Sequence, residues 1–248
     1  MTLLDVLVYF LAGFIGSAIN SVAGGGTFLT FPLLIMNGMG ALQANIMSTI
    51  ALWPGSVASA FAYKNERNVD KQQLTKFIII SILGSIVGTV TLLLTPEQTF
   101  ESLVPWLLLF ATLLFTFGRN FALPQSSTHH GAWLGFLLQF GIAVYGGYFG
   151  AGIGILMLAM LQLQGFSNIH QMNALKTILG STINAVAVLL FLFSGKVIWP
   201  VAIVMIAGAL TGGYAGAKCA LKFSPAKVRM VVCIIGFVMT GYFFAKEF

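Results

Sequence analysis

Long apolar segments separated by short polar stretches follow one another along the whole chain of 248 residues. A helix needs about 20 mostly apolar residues to cross a hydrocarbon core of roughly 30 Å. Where periodicity is present it is helical, and there is no run of short alternating strands of the kind that builds a β-barrel. The pattern therefore predicts an all-α, polytopic integral membrane protein with about eight to ten transmembrane segments.

Two of the predicted segments are too short to cross a bilayer alone. The apolar segments lie at about 3–23, 27–37, 45–63, 76–95, 102–117, 131–149, 153–164, 172–193, 198–221 and 228–245. Segments 27–37 and 153–164 each follow a run of glycines, so we expect glycine-broken half-helices there. The sequence leaves open whether these two segments cross the membrane or turn back.

The chain repeats itself with an offset of 128 residues and without a gap. The matching pairs include Gly13 and Gly141, Gly24 and Gly152, Gly26 and Gly154, Asn45 and Asn173, and Thr49 and Thr177. The basic loop after the third segment corresponds to a charge-poor loop at 194–196, so the halves are expected to be inverted in the membrane. The predicted organisation is a first inverted repeat at 1–118, a cytoplasmic linker at 119–130 and a second inverted repeat at 131–248.

Basic residues set the expected orientation, because cytoplasmic loops carry an excess of them. Loop 64–76 holds four basic residues, whereas loop 95–101 holds two acidic residues and no basic one. Arg119 and Lys222 fall on the same side as loop 64–76. We therefore expect a multi-pass protein of the cell (inner or plasma) membrane with both termini extracytoplasmic.

Composition narrows the class of protein further. Hydrophobic residues make up 58% of the chain and charged residues 7%, whereas a soluble domain has about a quarter charged residues. This excludes a globular enzyme held by a single membrane anchor. The six acidic residues all lie near segment ends or in loops. Because cation and metal transporters usually place carboxylates deep in their spans, the substrate is expected to be an anion.

Catalytic and metal sites are not expected. No cluster of His, Cys and Glu could hold a metal, and no pair of residues has the spacing of an intramembrane protease. The sequence therefore predicts no enzymatic activity, no catalytic residue, no metal and no cofactor.

Two glycine runs at repeat-equivalent positions, 20–32 and 148–154, are candidates for a binding site. Glycine disfavours the helix, and a broken helix leaves N–H groups that lipid cannot satisfy. The half-helix that follows presents free N–H donors and a partial positive charge, so it can receive an anion. The candidate residues are Asn20, Gly24, Gly25, Gly26, Thr27, Gly152 and Gly154, with backbone donors at Gly26, Thr27, Gly154 and Ile155. The alternative is close helix packing, which we expect of Gly84, Gly88, Gly212 and Gly216.

The third segment of each half begins with polar residues that share a helix face. Asn45 and Thr49 are four residues apart, as are Asn173 and Thr177, and these neutral donors could hold an oxyanion. Hydrogen bonding between helices explains both pairs almost as well. Lys176 lies about one turn into an apolar run and is the candidate counter-charge. Its alternative role is to snorkel to the headgroups.

At its glycine runs the chain resembles the sulfite exporter TauE/SafE family of bacterial and archaeal membrane transporters. The resemblance rests on residues 16–32 and 147–154 and is supported by the helix starts at 44–45 and 173–174. With the duplication it covers essentially the whole chain. It implies an inner-membrane carrier of small sulfur-containing anions such as sulfite or organosulfonates, frequently in the outward direction.

Three hypotheses for the function follow. The first is a secondary transporter, an exporter in which paired broken helices bind a small anion near mid-membrane. The second is a passive anion channel, and the third is a non-transporting scaffold that packs against another membrane protein. The expected partners are a small anionic substrate and the lipid bilayer, with a homodimer left open and no nucleic acid.

Overall fold

The computed structural model of the protein describes residues 1–62, 70–117, 132–219 and 225–247. These residues form ten α-helices and no β-strand. The all-α class is thereby confirmed for the described part of the chain.

The helices follow the predicted segments closely. They are α1 (Leu3–Ala23), α2 (Thr27–Met36), α3 (Ala41–Ala62), α4 (Lys71–Leu94), α5 (Glu97–Phe117), α6 (Ala132–Tyr148), α7 (Ile153–Leu163), α8 (Ile169–Leu192), α9 (Trp199–Cys219) and α10 (Pro225–Glu247). The helices α4 and α5 begin before their predicted starts because their first turns are polar and carry little hydropathy signal. Asp70, for example, caps α4 by accepting hydrogen bonds from the backbone N–H groups of Gln72 and Gln73.

Four of the described helices are long and apolar enough to cross a membrane by themselves, which makes the chain a multi-pass membrane protein. These stretches are Leu3–Ser21, Lys71–Leu94, Gln171–Leu192 and Trp199–Gly216. The predicted number of eight to ten is therefore met only in part. The helices α2 and α7 have 10 and 11 residues, about half of what a bilayer requires.

Glycines let pairs of long helices approach closely. A Cβ on Gly88 of α4 would lie 1.9 Å from the carbonyl oxygen of Val144 on α6. A Cβ on Gly212 of α9 would lie 2.0 Å from the carbonyl oxygen of Phe14 on α1. Because no side chain fits in either contact, the packing role expected of these two glycines is confirmed.

An aromatic cluster anchors both short helices to the core. Phe149, directly after α6, meets the ring of Phe31 on α2 edge to face with the centroids 5.4 Å apart. It also lies 6.3 Å from the ring of Phe100 on α5. All three rings are fully buried, so the ends of the two breaks are held against one rigid apolar centre.

Some expectations concern residues outside the described part of the chain. They are the basic residues of 63–69, the linker at 119–130, and Lys222. The domain boundaries and the orientation of the termini therefore stay predictions.

Candidate functional site

A short connection that contains glycine in the left-handed conformation joins α1 to α2, and another joins α6 to α7. We call these two connections, 24–26 and 149–152, the helix breaks. The first helix ends at Ala23, and Gly24 follows with φ +79° while its N–H donates to the carbonyl of Asn20 over 2.9 Å. Between α6 and α7, Gly150 and Gly152 have φ +81° and +78°. Other residues adopt this conformation only at a cost, so glycine fixes where both helices stop.

The two breaks lie against each other. A Cβ on Gly24 would lie 3.0 Å from the Cα of Gly154, and one on Gly154 would lie 3.1 Å from the Cα of Gly24. The same atom on Gly154 would lie 3.2 Å from Cδ of Lys176. The start of α7, the end of α1 and the lysine of α8 thus meet at one point.

Neither short helix has a side chain that caps its N-terminus among the described residues. Some of the expected backbone donors are nevertheless occupied. The N–H of Ile155 donates to the carbonyl of Gly152 over 3.1 Å, so its predicted role as a free donor is wrong. At the start of α2, the N–H groups of Leu29 and Thr30 donate to the carbonyl of Gly26. The N–H groups that remain able to donate to a ligand are therefore those that come before Ile155 in α7 and before Phe28 in α2, whose own N–H donates to the carbonyl of Gly25.

A largely polar cavity lies beside the breaks. It offers about 50 Å³ to the centres of water-sized molecules, several times the roughly 10–15 Å³ that one water requires. Its lining comes from α1, α2, α3, α7, α8 and Gly150. Seven of the residues predicted from the sequence line it: Asn20, Gly24, Thr27, Thr49, Gly154, Lys176 and Thr177.

The other five predicted residues, Gly25, Gly26, Asn45, Gly152 and Asn173, are not among its lining. Gly26 instead serves close packing, since a Cβ there would lie 2.3 Å from the carbonyl oxygen of Gly16. The backbone carbonyl of Asn173 accepts a hydrogen bond from the hydroxyl of Thr177 over 2.7 Å. These residues shape the break and the helix beside the cavity.

Asn45 holds the end of a broken helix. Its Nδ2 donates to the backbone carbonyl of Tyr148, the last residue of α6, over 3.0 Å. The side chain is 1% exposed, and its Oδ1 has no partner in the described part of the chain. The orphan carbonyl of a helix end is satisfied in this way across the two halves of the protein.

Lys176 is the charged group of the cavity. It is 4% exposed, and its Nζ makes no hydrogen bond to any described residue. The predicted alternative, a side chain that snorkels to headgroups, does not fit this burial. No Asp or Glu occurs among the described residues that line the cavity.

The first half has a serine at the position equivalent to Lys176, and its hydroxyl is hydrogen-bonded to that of a threonine. Ser48, 128 residues earlier, shares a 2.5 Å hydrogen bond with the hydroxyl of Thr30. The second half has Leu158 at the position equivalent to Thr30. The site is therefore asymmetric, with one cation on the side of the second half.

Sequence reasoning missed a polar stripe on α3 and α8 that completes the cavity. The members of this stripe that line the cavity are Ser56, Ser59, Ser181 and Asn184, and Ser21 of α1 lies in the same lining. Ser56 and Asn184 lie seven residues after Thr49 and Thr177, on the same helix face and at repeat-equivalent positions. That spacing was the signal available in the sequence. Asn20 joins the stripe by donating from Nδ2 to the hydroxyl of Ser56 over 3.0 Å.

Comparison with known proteins gives a consistent result. The sequence model of the family described as Sulfite exporter TauE/SafE matches residues 9–243. A probable membrane transporter protein of Haemophilus influenzae is 30% identical over 241 residues, which cover 96% of this chain and 94% of that protein. The probable membrane transporter protein YfcA of Escherichia coli K12 is 28% identical over 252 residues, with 96% and 88% covered. No solved structure matches the chain.

Proposed function

We propose that this chain, which belongs to the sulfite exporter TauE/SafE family, is a secondary carrier that binds a small anion where its two helix breaks meet. The family is one of membrane transporters, and the similar proteins are named as probable membrane transporters. The substrate and the direction of transport are part of the proposal.

The observation that carries this proposal is the unpartnered ammonium of Lys176 in a cavity without carboxylates among its described lining. An isolated charge costs several kcal/mol when it is removed from water, and the loss is recovered only if a counter-charge is close. An anion in the cavity would supply that counter-charge. A cation would find no negative side chain there.

The proposed substrates are sulfite and small organosulfonates. Their oxyanions accept several hydrogen bonds, and charge-assisted bonds to an ammonium are the strongest of these. Hydroxyl and amide groups of Thr49, Thr177, Asn20 and Asn184 line the same space. The cavity has room for a few water molecules and therefore suits a small solute. Export is the direction that the family's name suggests.

We further propose that the two halves are inverted repeats that rock against each other to expose the cavity alternately. The indole N–H of Trp53 donates to the carbonyl of Ser181, and these two residues are 128 positions apart. A contact between repeat equivalents is what an axis relating the halves would produce.

A second pair of contacts supports the same axis. The hydroxyl of Ser85 donates to the carbonyl of Ile183 over 2.7 Å. Their equivalents, Gly213 and Gly55, also meet, since a Cβ on Gly213 would lie 2.3 Å from the carbonyl oxygen of Gly55.

The proposed orientation places both termini outside the inner membrane. The ion pair between Glu97 and Lys196, with 3.9 Å between Oε2 and Nζ, supports one requirement of this orientation, that the two loops lie on the same side of the membrane. The excess of basic residues in loop 64–76 is what assigns that side to the outside.

Flux into proteoliposomes is the direct test. Labelled sulfite and methanesulfonate should enter saturably, and unlabelled anion inside should accelerate entry by exchange. Lys176→Gln should lose most of this exchange, whereas Lys71→Gln, an exposed lysine at the start of α4, should keep it. Unchanged exchange in Lys176→Gln would refute the assigned site.

The same assay separates the two other hypotheses. A passive channel would give flux without acceleration by exchange. A scaffold would give no flux of any anion in a panel that includes sulfite, methanesulfonate, thiosulfate and chloride. The polar cavity beside Gly24 and Thr27 favours a carrier over a scaffold, which needs only dry helix contacts there.

A further inference from the structure

Among the described residues that line the cavity, Lys176 has no second ionisable group near it that could hold its charge. Its stem runs past Gly154, and its Nζ is closed off from solvent without a hydrogen-bond partner in the described part. An ammonium at this position would therefore be isolated when the cavity is empty.

The described residues of the helices packed against α8 do not supply a counter-charge either. These helices are α3, α4, α6 and α7. The described residues of α3 and α7 include no ionisable side chain, and the lysines of α4, Lys71 and Lys76, are both exposed. On α8 itself, the side chain of His170 is not part of the described structure.

The remaining ionisable groups nearby are engaged elsewhere. On α6, the hydroxyl of Tyr145 donates to the carbonyl of Ala151, and the hydroxyl of Tyr148 lies 3.4 Å from that of Thr95. On α1, Asp5 forms the capping box at the N-terminal end, far from the cavity. The other ionisable side chain of this helix, Tyr9, lies on the next turn from Asp5.

Anion binding and proton binding at this lysine must therefore promote each other. An anion beside Nζ stabilises the ammonium relative to the neutral amine. By linkage, protonation of Nζ raises the affinity for the anion by the same factor by which the anion raises the affinity for the proton. We infer that Lys176 carries a proton together with the anion, so that the protein is a proton–anion symporter. This inference rests on the proposed function and names its coupling ion. Because the proton gradient of an inner membrane points inward, net export by this route requires an outward anion gradient that exceeds the proton gradient.

The step balances without any further reactant. The lone pair of Nζ takes a proton from the compartment that the cavity faces, and the anion binds beside the new N–H bond. After the cavity has changed sides, the anion leaves and the N–H bond releases its proton to water. For a monoanion, the loaded cavity and the empty cavity are both neutral, so neither transition moves net charge across the membrane. A permanently charged lysine would instead make net flux depend on voltage.

Wild-type proteoliposomes provide the test, with methanesulfonate as the probe because its sulfonate stays ionised at every pH used. The membrane voltage is held at zero with potassium and valinomycin, and the outside is made more acidic than the inside. Methanesulfonate should accumulate about tenfold for each unit of pH difference, since the two gradients then have equal free energy. Accumulation that follows an imposed voltage and ignores the pH difference would overturn the inference.

Two further measurements guard against a variant that is merely inactive. In weakly buffered detergent solution, methanesulfonate should make the wild-type protein take up about one proton per bound anion, and no uptake despite binding would contradict the symport. Lys176→Arg holds a permanent charge, because its guanidinium does not deprotonate. Whatever net flux this variant retains should follow voltage, and flux still driven by pH would contradict the role of Lys176. Lys71→Gln should couple as the wild type does.

An exchange assay at equal pH on both sides of the membrane shows whether the proposed function or only the proton coupling is wrong. If neither sulfite nor methanesulfonate exchanges, the proposed function itself fails. If exchange occurs but a pH difference drives nothing, the carrier stands and only the proton coupling is wrong.

Discussion

Gly24 and Gly154 pack backbone against backbone, with room for no side chain between them. They are not repeat equivalents, since Gly24 corresponds to Gly152. The contact joins the end of α1 to the start of α7, and Lys176 lies against it. The geometry of the candidate site therefore depends on two glycines from different halves of the chain.

Gly24→Ala should destabilise the protein and abolish sulfite exchange. Alanine in the left-handed conformation costs about 1–2 kcal/mol, and its methyl group would press on the Cα of Gly154. Gly141→Ala is the matched control, because a Cβ there meets no atom within 4 Å. Thermal unfolding in detergent measures the difference. Equal midpoints for the two variants would contradict the contact.

Asn45→Ala should act mainly on stability. It leaves the buried carbonyl of Tyr148 without its hydrogen bond, at a cost of about 1–3 kcal/mol. Asn37→Ala serves as the control, since its exposed side chain bonds only to the carbonyl of Leu33 within one turn. Thermal unfolding and anion affinity should be measured together. A variant as stable as the wild type but with weaker anion binding would support the direct binding role predicted from the sequence.

Lys176→Met should stabilise the empty protein and remove its response to anions. In the empty cavity Lys176 must either keep an unpaired charge or give up its proton to water, and methionine avoids both costs. Apolar replacements of buried ion pairs are often stabilising by about 1–4 kcal/mol. Sulfite should then raise the unfolding temperature of the wild type but not of this variant, because a ligand stabilises only the state that binds it. Lys71→Met controls for the general loss of a positive charge. A lower unfolding temperature for empty Lys176→Met would indicate that the ammonium has a structural partner.

Glu97 should contribute to stability as a helix cap rather than as an ion-pair partner. Its Oε1 accepts the N–H of Leu42 at the start of α3 over 3.0 Å, whereas Lys196 is 3.9 Å from Oε2. Glu97→Ala should cost about 1 kcal/mol, as the loss of a cap does. Glu97→Gln keeps the acceptor and loses only an exposed ion pair, which is worth about 0–1 kcal/mol. Chemical unfolding measures these losses, and Glu101→Ala, the control, should be as stable as the wild type. Equal losses of stability for Glu97→Ala and Glu97→Gln would show that the ion pair, and not the cap, is the stabilising contact.

The helix ends on either side of the first glycine run could be predicted almost to the residue. The predicted first break falls between 23 and 27, and α1 ends at Ala23 while α2 begins at Thr27. Such positions are local properties, because glycine costs helical backbone entropy wherever it occurs. The predicted starts of α4 and α5 lie too far along the chain, since polar first turns carry no hydropathy signal.

The lining of the cavity was harder to predict. Thr49 and Thr177 were found because they share a helix face with an asparagine, yet both asparagines fall outside the lining. The direction in which a side-chain amide donates depends on which carbonyl another helix brings near. Asn45 finds the carbonyl of Tyr148, 103 residues away in the chain.

The sequence by itself determined the helices, the glycine runs between them, the polar residues at the starts of α3 and α8, and the resemblance to a transporter family. These features are local, because helix formation and hydropathy act over a few residues. Only the tertiary structure decided that Gly24 faces Gly154, that Asn45 secures a helix end, and that Lys176 stands without a described counter-charge. These are long-range contacts, and they depend on how helices far apart in the chain pack against one another.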